Sequence, residues 1–220
     1  MSLEIISIHI PKTAGTSLMH TFKKTYGEER VVQLARKHVK EHDRNLSSYI
    51  THNTKVLHGH FFYSEIDPYL LDNRETKLIA FVRHPIDRVV SNYHHFIKTT
   101  KEQRFGSKQW FRRFESLSTY ASRDHTRNMM CRYLKPFNWE RFAFIGVQES
   151  YSEDLSALAS TMKWEDTFEV KKNIHAQKNK LTKTQIDELT YLNKEDMALY
   201  NELLSMKQNT KWSLQRNLAK

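Results

Sequence analysis

The chain has 220 residues, enough for one α/β domain with a substantial core. Lysine and arginine outnumber aspartate and glutamate 35 to 25, a formal net charge of +10, and a single cysteine, Cys131, excludes an intramolecular disulfide framework. No apolar run approaches the ~20 residues of a membrane span and no signal peptide opens the chain, so the expected location is cytoplasmic.

Residues 5–18 read I-I-S-I-H-I-P-K-T-A-G-T-S-L. The pattern predicts a strand that feeds a helix through a Pro-Lys turn of small residues. Such a junction aims several backbone N–H groups and the positive helix end at one spot, which suits a phosphate. Lys12 adds a mobile charge, and Thr13, Thr16 and Ser17 add hydroxyls. The order is not that of the common nucleotide-binding loop, because Lys12 precedes Gly15 and no glycine stands five residues upstream.

Residues 55–63 read K-V-L-H-G-H-F-F-Y. As a strand this places His58 and His60 on one face, with Gly59 between them allowing close approach. Residues 77–98 read K-L-I-A-F-V-R-H-P-I-D-R-V-V-S-N-Y-H-H-F-I-K. Leu78 to Val82 predict a strand covered on both faces, and Pro85 suits the first turn of the helix that follows. Arg83 then stands at a strand end and Ser91 about two turns into a helix.

Between Lys98 and Arg141 there are eleven Lys and Arg against four Asp and Glu, a local charge of +7. The segment reads as mostly helical, with a loop at Thr99–Ser107. It forms either a solvated basic face or the acceptor side of a cleft. Residues 141–158 predict a strand, then Gly146, then a helix capped by Ser150 and Glu153. Cys131 reads as a buried small apolar residue. No Cys/His or carboxylate cluster has metal-ligand spacing, so no metal is expected.

The loop P-K-T-A-G-T-S resembles the 5′-phosphosulfate loop of sulfotransferases that use 3′-phosphoadenosine 5′-phosphosulfate (PAPS). Arg83 and Ser91, eight residues apart, resemble the 3′-phosphate motif of that family. His58-Gly59-His60 resembles the corresponding stretch of the uronosyl 2-O-sulfotransferases acting on heparan sulfate and related glycans. Residues 141–158 and 193–204 are similar to later family segments, and Lys171, Lys172 and Asn173 fall where related enzymes close a loop over the nucleotide.

The resemblance implies a single domain over residues 1–220 with a three-layer, P-loop-like α/β fold and a central, mainly parallel sheet. It implies PAPS as sulfate donor, held by Lys12, Thr13, Ala14, Gly15, Thr16, Ser17, Arg83 and Ser91. It implies His60 as catalytic base, with Lys12 and His58 assisting and no metal. The acceptor it implies is a hydroxyl group, on a glycan and acidic in the closest branch. Nucleic acid is not an expected partner, and oligomeric state is unassigned. Two alternatives stay open: a P-loop-type nucleotide kinase or NTPase, and a sulfotransferase-like protein that binds nucleotide without catalysis.

Overall fold

The computed structural model describes residues 3–41, 45–164 and 181–208. Five strands alternate with helices. In chain order they are β1 (Ile5–Ile8), α1 (Gly15–Tyr26), β2 (Val31–Leu34), α2 (Arg36–Glu41), β3 (Val56–Gly59), α3 (Pro68–Asp72), β4 (Lys77–Val82) and α4 (Pro85–Lys101). There follow α5 (Lys108–Phe111), α6 (Leu117–Ala121), α7 (Met129–Leu134), β5 (Phe142–Val147), α8 (Tyr151–Met162), α9 (Lys183–Leu192) and α10 (Lys194–Gln208).

The strands form one sheet in the order β2-β3-β1-β4-β5, and every pairing is parallel. Alternation along β1 sends Ile5 to one face and Ile6 and Ile8 to the other. On the first face Leu18 and Phe22 of α1 and Leu155 and Leu158 of α8 close the core. On the second, residues of α3, α7 and α10, among them Leu70, Leu134 and Leu199, do the same. Burial on both faces explains why the central strands read as short continuous apolar runs.

Chain order reverses on the two sides of β1, so the carboxyl ends of β3, β1 and β4 open onto one crevice. The register fixes this: Ile8 lies opposite Gly59 on one side and Ala80 on the other. Gly59 is needed there, because a Cβ would sit 2.5 Å from the Leu34 carbonyl oxygen of β2.

Two local expectations change. The helix α4 runs through Lys101, so the first three residues of the expected Thr99–Ser107 loop are helical. Thr99 and Thr100 turn their hydroxyls back onto the Phe96 and Ile97 carbonyls at 2.9 Å, which lets both residues sit in the last turns of the helix. Ser150 is the N-cap of α8 but its side chain caps nothing. Asp154 instead accepts the Val147 N–H at 2.6 Å and the Ser150 hydroxyl at 3.2 Å, tying the strand end to the helix. Residues 171–173 lie outside the described residues. Cys131 is buried, as expected.

Candidate active site

The first component is the turn between β1 and α1. Lys12 and Ala14 both have positive φ, 71° and 68°. Such backbone is costly for residues with a Cβ and marks a turn held by its surroundings. Thr13 is one of the holds. It is 1 % exposed, and its hydroxyl donates to the Ile10 carbonyl at 2.8 Å. Thr13 therefore braces the loop and only its backbone is free to meet a ligand. Thr16 is exposed and Ser17 half-buried in the first turn of α1. Gly15 packs against the His9 imidazole: a Cβ there would come within 1.9 Å of Nε2.

The second component is the exit of β4. Arg83 Nη1 donates to the Lys12 carbonyl at 3.2 Å, joining the two loops. Burial, then the adjacent Arg83 charge, lowers the Lys12 pKa. No acid compensates Lys12 among the described residues. Asp87 and Glu149 lie within electrostatic reach of Arg83 and offset part of its charge, so the uncompensated cation at this corner is Lys12. Ser91 lies half-buried on α4. Glu149 steadies this corner by accepting the His84 N–H at 2.9 Å and the Tyr200 hydroxyl at 3.1 Å.

The third component is a column of imidazoles. His9 at the end of β1 stacks on His58 and on His60, with ring centroids 4.7 and 4.2 Å apart. His58 is 1 % exposed, and its Nδ1 lies 2.8 Å from the Ser7 hydroxyl. Burial first and His60 second lower its pKa to about 3. His9 is lowered to about 2 by burial, then by the other two histidines and Lys12. Both rings are therefore neutral.

His60 sits one residue past β3, half-exposed, at the mouth of the crevice. Its Nδ1 lies 2.7 Å from the His9 carbonyl oxygen. A carbonyl only accepts, so Nδ1 carries the proton and Nε2 holds the lone pair. Burial lowers the His60 pKa, the His9 carbonyl opposes that shift, and Arg36 adds to it.

Arg36 was not legible as a site residue. It forms a bidentate pair with Glu65, the Nη2–Oε1 contact being 2.8 Å, and its guanidinium lies 4.0 Å over the Phe62 ring. Its Nη1 is 3.5 Å from the His60 carbonyl oxygen. Glu65 also accepts the Phe62 N–H at 2.9 Å, so the turn that presents His60 is clamped on both sides. His94 and His95 are exposed on α4, and Glu149 is committed to its two donors.

A parallel sheet flanked by helices, whose central strand runs through a tight turn into a helix, defines a P-loop-like α/β protein. The chain belongs to the sulfotransferase family, whose sequence model matches residues 2–202. No curated protein sequence matches the chain. Among solved structures it is similar to a sulfotransferase from Alicyclobacillus acidocaldarius, with a TM-score of 0.53 at 14% identity over 93% of this chain and 96% of that one. It is also similar to mouse sulfotransferase SULT7A1 complexed with PAP, at a TM-score of 0.46 and 10% identity. That match covers 87% of this chain and 63% of the mouse chain. Retinol dehydratase in complex with androsterone and inactive cofactor PAP matches at a TM-score of 0.39 and 16% identity, over 87% and 64% of the two chains.

Proposed function

We propose that this protein transfers a sulfuryl group from PAPS to an acceptor hydroxyl, with His60 as general base. The observation that carries the reading is the bond from His60 Nδ1–H to the His9 carbonyl, which leaves Nε2 as a proton acceptor beside the anion-binding turn. Family membership supplies the reaction class. In that class, an acceptor oxygen–sulfur bond forms as the bond from sulfur to the bridging phosphate oxygen breaks.

Each residue then has a task. His60 Nε2 takes the acceptor proton as the oxygen attacks. Lys12 and the backbone N–H groups of Thr13 to Gly15 offset the charge that grows on the leaving phosphate oxygen. Thr16 and Ser17 bind the 5′-phosphate and Arg83 and Ser91 the 3′-phosphate, so that remote binding energy fixes the attack geometry. His58 supports the stack from inside and does not reach the crevice. The acceptor is a sugar hydroxyl, with an acidic, uronosyl-type glycan favoured by the His-Gly-His likeness.

Transfer of labelled sulfate from PAPS to a panel of glycans tests this directly. Adenosine 3′,5′-bisphosphate (PAP), the product, should stabilise the fold without Mg²⁺. The gain is about 2.7 kcal/mol at one hundred times its dissociation constant. ATP, lacking the 3′-phosphate, should do much less. Equal shifts from both nucleotides, or a strict Mg²⁺ requirement, would point to a kinase instead.

A further inference from the structure

Outside the histidine column, the end of α4 and the short helix α5 expose an unusual surface. Phe105, Phe111 and Phe114 are 80, 58 and 69 % exposed. They gather edge-on around Trp110, with centroid distances of 4.5, 5.2 and 5.8 Å. Isolated exposed apolar residues are ordinary, but three phenylalanines grouped within ten residues are not. The same stretch is cationic. Residues 98–114 hold six Lys and Arg and one acid, Glu102, a net +5. Lys98, Lys101, Arg104 and Lys108 are exposed.

We propose that this surface docks the protein onto anionic lipid bilayers. Apolar insertion and electrostatic attraction are each marginal alone, and stable peripheral binding takes both. Both are present here within 17 residues. Phenylalanine rings have no polar atom to satisfy and gain by entering the acyl boundary, while the surrounding cations remain at headgroup level.

The geometry disfavours a sugar-stacking platform at this spot. The one indole, Trp110, already has the Arg113 guanidinium 3.5 Å over its ring, and Arg113 also lies 4.6 Å from the Phe114 centroid. No helix among the described residues is long and apolar enough to cross a membrane, so docking here is peripheral. The inference stands whether or not the chain proves to transfer sulfate.

The test is co-sedimentation of the full chain with phosphatidylcholine vesicles, with and without phosphatidylserine, at low and high salt. Two variants accompany it, Phe105→Ser/Phe111→Ser/Phe114→Ser and Arg104→Glu/Lys108→Glu. All five side chains are solvent-exposed, so circular dichroism should show both variants folded. Binding should require phosphatidylserine, weaken with salt, and fall about tenfold or more in each variant. Equal binding to neutral vesicles, or unchanged binding by the serine variant, overturns the proposal. So does absence of vesicle binding, and two further results that depend on the same phenylalanines would then say what the patch does instead. One is binding of an acidic polysaccharide, which would make the patch a glycan site. The other is self-association, which would make it a face between copies.

Discussion

His60 and Arg83 carry the sharpest expectations at the scale of single residues. His60→Ala should leave PAP affinity nearly unchanged and lower turnover by about 10²–10⁴. Arg83→Ala should do the opposite, weakening PAP by about 2–5 kcal/mol if the pair is desolvated. Calorimetric titration of PAP followed by a transfer assay separates the two; wild-type turnover in the His60 variant would end the base assignment. The pH profile adds a sign. Burial holds His60 below the ordinary histidine value of 6.5, so it stays a base through neutral pH. Its activity should be lost only as the pH falls through that lowered pKa. His9→Ala lets water reach the His60 ring and should move this acid limb up towards the ordinary value. An unmoved limb would reduce His9 to core packing. The turn, His60 and Arg83 could be found in the sequence because each belongs to a short run with its own chemistry. His9 could not, although it stands inside the same run. Its partners are 49 and 51 residues away, at His58 and His60, and only the β1–β3 register brings them together. Arg36 and Glu65 escaped for the same reason.

At the level of elements, apolar runs and Pro-initiated helices located β1, β4, α4 and the strand–Gly–helix unit at β5 and α8. What periodicity could not show is how α4, α7 and α10 are fastened. Arg88 on α4 is fully buried between Arg83 and Ser91 in the chain. It donates to the Thr126 carbonyl at 3.0 Å, and its Nε lies 3.9 Å from Asp196. Asp196, on α10 and also fully buried, accepts the Met130 and Cys131 N–H groups at 3.1 and 2.8 Å, capping α7. One carboxylate thus links three helices, one of which carries Ser91. Asp196→Ala strands a buried guanidinium and two helix N–H groups, and should cost about 3–5 kcal/mol. Urea denaturation measures this. A loss below about 1 kcal/mol, the worth of an exposed pair, would show that Arg88 finds other compensation.

For the molecule as a whole, the strand order could not be read from the sequence, since parallel pairing leaves no local mark; only the βα alternation was visible. That order has a thermodynamic consequence. By placing β1 beside β3 it stacks half-buried His9 against buried His58, and burial holds both rings neutral, with pKa values of about 2 and 3. In the unfolded chain each returns to about 6.5. Above that value neither state binds a proton at these rings, and their contribution to stability is full. Below it the unfolded chain gains two protons that the folded protein refuses. Stability should therefore fall by about 1.4 kcal/mol per histidine for each pH unit, down towards the folded values. The net charge of +10 adds a repulsive background that steepens acid sensitivity by itself. The histidine part is isolated by comparison with a His9→Asn/His58→Asn variant, whose side chains do not titrate. Urea midpoints measured from neutral pH down to about pH 5 should fall steeply for the wild type and by distinctly less for the variant, even if the variant starts less stable. Parallel slopes would mean that the stack accepts protons in the folded state, and the imidazole column would then have to open well above pH 3.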